Sequence, residues 1–127
     1  MIAYLDTHVV VWLAQNTLQR FSKAVIDQID ASDLRISPIV LLELSYLFEI
    51  RRIVQPPEAL RKQLEVQIGL KVCTHPFTEI VETALSETWT RDPFDRLIVA
   101  HARVSGLANL ITADEEIRDH YVNAVWF

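Results

Sequence analysis

Four carboxylates occupy positions where an acid does little for folding. Asp6 follows the apolar run Ile2-Ala3-Tyr4-Leu5, and Glu43 interrupts the run Ile39-Val40-Leu41-Leu42. Asp95 lies in Arg91-Asp92-Pro93-Phe94-Asp95-Arg96, and Asp114 follows Leu110-Ile111-Thr112-Ala113. If folding gathers them, they offer only hard oxygen ligands, the donor set of Mg2+ or Mn2+. Two divalent ions held this way can clamp the attacking and leaving oxygens of a phosphodiester. Such a site positions groups and neutralises charge; it does little covalent chemistry.

Most of these acids also have a structural explanation. Asp6 can cap a helix, and Thr7 beside it can do so equally well. Asp92 and Asp95 have the spacing of a capping box. Asp114, ahead of Glu115-Glu116-Ile117, fits a helix N-cap. Glu43 is different: it lies mid-helix, with Ile39, Tyr46 and Leu47 as helical neighbours. A helix apolar on most sides is largely buried, and a buried carboxylate needs a cation or shifts its pKa. Supporting candidates are Thr112, as a hydrogen-bond donor to a carboxylate, and Thr7. Asp92 reads first as a cap. Arg96, beside Asp95, can contact a phosphate or orient an acid. His8 reads as structural, and Trp12, Trp89 and Trp126 read as packing residues before they read as platforms for bases.

Strands alternate with helices along the chain. Residues 2–5 form a short buried strand, followed by a helix beginning near His8. Ser22 caps a helix to about Ser32, with Ala24, Val25, Ile26 and Ile29 inward. A second strand covers 34–37, and Pro38 opens a long helix to about Arg51. A helix over 57–68 ends at Gly69, a plausible C-cap. A third strand covers 70–74, and helices over 78–88 and 92–105 follow, with Gly106 as the stop. A fourth strand at 109–112, a short helix from Asp114 and a weak fifth strand at 122–126 complete the chain. Alternating strands and helices imply parallel βαβ units, with helices on both faces of a sheet. Ligands of such sheets bind beyond the carboxyl ends of the strands. Connectivity therefore places Asp6, Glu43 and Asp114 toward one edge. It does not place Asp95, whose helix follows another helix.

The 127 residues suit one domain with one core, and half of them are apolar. The net charge is −5, and the chain is near neutral once the four acids are set aside. No basic balance advertises nucleic acid, although nine arginines against three lysines suit bidentate phosphate contacts. Cys73 is the sole cysteine, so no internal disulfide forms, which fits a reducing compartment. The N-terminus has no signal-peptide pattern, and no apolar stretch approaches the roughly 18 residues of a membrane span. A soluble cytoplasmic protein with no membrane partner is expected. Phosphate-binding GxxxxGK[ST] and GxGxxG patterns, the G-x-S-x-G elbow and paired zinc ligands are all absent.

The combined pattern resembles the PIN-domain ribonucleases, and specifically the VapC-like toxins of bacterial toxin–antitoxin pairs. The matching pieces are Tyr4-Leu5-Asp6-Thr7-His8, Ser37-Pro38 with Leu42-Glu43-Leu44, the segment from Arg91 to Ala102, and Leu110-Ile111-Thr112-Ala113-Asp114. The resemblance covers essentially the whole chain. It implies one PIN-like nuclease domain over residues 1–127, an α/β/α fold around a mainly parallel sheet of about five short strands. It also implies that Asp6, Glu43, Asp95 and Asp114 form an acidic catalytic pocket for Mg2+ or Mn2+. Cleavage of RNA, a homodimer and inhibition by a cognate antitoxin are implied as well. A catalytically silent RNA- or partner-binding regulator on the same fold is the rival expectation. A small magnesium-dependent phosphatase or receiver domain is a weaker rival. The phosphatase wants an Asp at the position of His8, and the receiver wants a late lysine, whereas the last lysine here is Lys71.

Overall fold

The computed structural model describes residues 1–127. Five strands form one sheet: β1 (Ile2–Leu5), β2 (Asp33–Ile36), β3 (Lys71–Val72), β4 (Asn109–Ile111) and β5 (Ala124–Val125). Their order is β3-β2-β1-β4-β5, and every pair is parallel. Seven helices connect them: α1 (Thr7–Ala14), α2 (Lys23–Asp30), α3 (Pro38–Glu49), α4 (Pro57–Ile68), α5 (Phe77–Ala84), α6 (Pro93–Val104) and α7 (Glu115–His120). From β1 the chain steps outward through β2 to β3, then crosses to β4 and β5 on the other side. Right-handed crossovers therefore put α1–α4 on one face and α5–α7 on the other, giving three α/β/α layers. The expected fold class holds, and the sheet is wholly parallel.

Local sequence explains the helix starts. Ser22 and Ser37 accept N–H bonds from Val25 and Ile39 at 3.2 Å, and Pro38, Pro57 and Pro93 each open a helix. Gly69 closes α4 at φ +68°, the left-handed conformation expected of its C-cap position. Central strand β1 is buried at Ala3, Tyr4 and Leu5, as a strand covered by helices on both sides must be.

Several expected boundaries shift. The first helix starts at Thr7, one residue before His8, and α3 ends at Glu49 because Arg51 turns left-handed at φ +62°. Strands β3 and β5 shrink to two residues each. Helix α5 stops at Ala84, so residues 85–92 form a loop in place of an expected last turn. Ala24 faces solvent, while Val25 and Ile29 are buried and Ile26 packs half-buried against the core. A 3-10 turn at Leu18–Arg20 was not anticipated from the sequence pattern. No helix is long and apolar enough to cross a membrane.

Candidate functional site

The direction of strand succession reverses between β1 and β4, which are neighbours in the sheet. Ligand crevices of open α/β sheets form at such a switch point, beyond the strands' carboxyl ends. Asp6 follows β1 and Thr112 follows β4, so both lie at that edge. Asp6 is buried at 6 % exposure. One of its oxygens accepts the Thr7 backbone N–H at 2.8 Å, and the other accepts the Thr112 hydroxyl at 2.6 Å.

A chain of hydrogen bonds spreads from Asp6 in both directions. The Thr7 hydroxyl donates to Glu43 Oε1 at 2.5 Å, which ties the start of α1 to α3. Thr112 Oγ1 accepts the Asp114 N–H at 3.0 Å, which ties β4 to α7. Thr7 and Thr112 are fully buried. Between them they fix three of the four acids. Asp114 is exposed, and it caps α7 by accepting the Ile117 N–H at 3.1 Å. Asp6 serves as the cap of α1, which leaves the Thr7 hydroxyl free for Glu43.

Asp95 arrives by a different route. The loop over 85–92 is tied down by Glu87, a buried acid that accepts Nε1–H of Trp89 at 2.5 Å and Nε–H of Arg103 on α6. Trp89 stacks on His120 of α7, with ring centroids 4.9 Å apart. Arg96 Nε donates to the Thr90 carbonyl at 2.8 Å, so Arg96 straps the loop and pairs with none of the acids. Asp92 caps α6 through the Phe94 N–H at 2.9 Å. Its own N–H is taken by Thr90 Oγ1, so Asp95 closes no capping box and its carboxylate stays available.

The charges of these acids act on one another. Burial pushes the Asp95 carboxyl up to about 8, and the charges of Asp92, Asp6, Asp114 and Glu43 add to the shift. Glu43 is raised by burial first and then by Asp6 and Asp92, against the hydrogen bond from Thr7. Asp6 is raised mainly by burial, against the donors Thr112 and Thr7. No three His, Cys, Asp or Glu side chains stand close enough to enclose one ion. Like charges in a poorly solvated crevice repel, and nothing favours their closer approach without a cation. The donor set still fits a hard divalent ion. Mg2+ keeps several of its waters and is held through one or two carboxylates, and every first donor here is an oxygen.

An open cavity of about 200 Å3 lies beside Asp6 and Asp114, and its wall includes His8 and Trp12. His8 is exposed at this rim, with its ring 6.3 Å from that of Trp12 one helical turn on. The i, i+4 spacing of the two aromatics on α1 was the signal for this face. Cys73 is buried and accepts a hydrogen bond from the Tyr4 hydroxyl at 3.0 Å, while the side chain of His75 is exposed, so no nucleophile–base pair forms there.

A small doubly wound α/β domain with carboxylates at its switch point defines the class. The family model of the PIN domain matches residues 3–123, and the chain belongs to that family. No curated protein sequence matches it. Among solved structures, it is similar to a chain of VapBC2 from Rickettsia felis, crystallised bound to a DNA fragment from the promoter. That match has a TM-score of 0.66 and 18 % identity, and it covers 98 % of this chain and 96 % of the other. It is also similar to a chain of VapBC-1 from nontypeable Haemophilus influenzae, with a TM-score of 0.59 and 23 % identity over 94 % of both chains. The resemblance to the PIN-domain family read from the sequence holds.

Proposed function

We propose that this chain, as one nuclease domain over residues 1–127, is a metal-dependent endoribonuclease acting as the toxin of a toxin–antitoxin pair in the cytoplasm. What supports the reading is a PIN-domain fold in which Asp6, Glu43 and Asp114 are linked through Thr7 and Thr112 at the switch point. Asp6, Glu43, Asp95 and Asp114 are the residues that would hold Mg2+ or Mn2+. Bound there, such an ion supplies charge neutralisation for the phosphate and activation of water.

The remaining work falls to the side chains. Thr7 and Thr112 hold Asp6 in one orientation with both carboxylate oxygens engaged. Thr7 also keeps Glu43 aimed at the same edge. Without a cation, Asp95 keeps its proton at neutral pH, which lowers the repulsion among the acids. Water adds to phosphorus and the P–O3′ bond breaks, leaving a 5′-phosphate and a 3′-hydroxyl. The VapBC assemblies support a second, antitoxin chain as partner, and a homodimer is proposed with it.

The test is cleavage of labelled RNA with Mg2+, with EDTA, and by Asp6→Asn protein. Cutting that depends on the metal and on Asp6, with 5′-phosphate ends, is expected. Cutting that survives EDTA, or that leaves cyclic phosphates, contradicts the mechanism.

A further inference from the structure

A second cavity, of about 360 Å3, adjoins the acidic one and shares His8 and Trp12 with it. It is assembled from α1, the 3-10 turn, the end of α3 and the loop that follows. Trp12, Leu47 and Ile53 give it apolar walls, and Arg20 and Arg52 give it two cations. No carboxylate lines it. That is unusual in a chain of net charge −5. Four other cations pair with acids: Lys23 with Asp27, Arg35 with Asp33, Arg61 with Glu58 and Glu65, and Arg103 with Glu87. Arg20 and Arg52 have no acidic partner.

The Arg20 side chain and the Arg52 backbone are both held in place. The Arg20 guanidinium lies 4.8 Å from the Trp12 ring centroid, a stacking that leaves its N–H edge free for a bidentate acceptor. The Arg52 backbone N–H donates to the Leu47 carbonyl at 2.8 Å, just beyond the left-handed turn at Arg51. The cavity thus combines apolar walls with two guanidinium groups, one of them stacked on Trp12, and it opens beside the acids. That combination suits one nucleotide, with its base against the apolar side and its phosphate on the arginines.

We propose that this cavity is a subsite for a nucleotide flanking the scissile phosphate of single-stranded RNA, held by Arg20 and Arg52. The inference rests on reading the acidic site as an RNA hydrolase. The subsite contributes equally to the bound substrate and the transition state, so its loss raises KM and leaves kcat nearly unchanged.

The test measures binding of a fluorescein-labelled single-stranded RNA to the full-length chain carrying Asp6→Asn, by anisotropy in Mg2+ across a salt series. Adding Arg20→Gln and Arg52→Gln should weaken binding at least about tenfold and flatten the salt slope by about 0.7, the loss of one phosphate contact on a single strand. A control with Lys62→Gln and Lys71→Gln, exposed residues outside both cavities, should bind like its parent. Arg20→Lys with Arg52→Lys should keep the salt slope and lose part of the affinity. Parent protein that binds no RNA overturns the subsite. So does an equal loss in the lysine control, or unchanged binding in the Gln pair, the result expected if the cavity serves a protein segment. Cleavage by the Asp6-intact chain separates the two readings. A chain that binds through Arg20 and Arg52 but never cuts keeps the subsite and loses the hydrolase; a chain that cuts equally well without the two arginines loses only the subsite.

Discussion

Asp95 bears most of the electrostatic strain in the metal-free molecule. Its carboxyl is raised to about 8 by burial and then by its acidic neighbours. The unfolded chain releases that proton near pH 4, so the native state binds more protons between about 4 and 8, and stability falls with rising pH across that window. Asp95→Asn should therefore stabilise the metal-free protein above about pH 8 by about 1–2 kcal/mol, after discounting for partial exposure. Urea melts at pH 5 and pH 8.5 check this; a variant that gains nothing at the higher pH contradicts it. Thr112 acts on the same site one shell further out. It donates to Asp6 and receives the Asp114 N–H, so Thr112→Val removes two restraints at once. Divalent affinity should fall about 10–100-fold, read by Mn2+ titration, with the fold retained.

At the scale of elements, two devices set where the acids stand. The first is helix capping. Asp114 caps α7 and also faces the acidic cavity, so the two duties can be separated by substitution. Asp114→Ser should keep the cap and most of the stability, whereas Asp114→Ala should lose about 1 kcal/mol. Both should lose RNA cleavage, and a fully active Asp114→Ser protein would assign the residue to capping alone. The second device is the Glu87 anchor beneath the loop leading to α6. Arg103 is its cation, and Arg103→Gln leaves a buried acid without its partner. Thermal and urea melts should show a loss of about 3 kcal/mol; a change near zero would mean that water replaces the guanidinium at no cost.

For the molecule as a whole, the sequence reveals what depends on short-range pattern. The continuous apolar runs before Asp6 and Asp114 mark buried parallel strands, and the acids just past them fall at the sheet's carboxyl edge. Glu43 stands out because its helical neighbours are apolar. What depends on contacts between remote segments is not legible. Asp95 mimics a capping box, and only the Thr90 side chain taking the Asp92 N–H frees it. Helix α5 ends early because Glu87 is drawn inward to Arg103, sixteen residues away. The Arg20 and Arg52 cavity joins three separate stretches that share no motif. Arg96, which sits beside Asp95 in sequence, turns to the loop backbone instead. The proposed role of Asp6, Glu43, Asp95 and Asp114 is to hold a divalent ion. Calorimetric titration of Mn2+ into the metal-free protein at pH 7, in two buffers of different ionisation enthalpy, tests it directly. Uptake accompanied by proton release from Asp95 is predicted, with uptake greatly weakened in Asp6→Asn and the released proton missing in Asp95→Asn. No uptake, or equal uptake by the Asp6→Asn protein, would contradict the account.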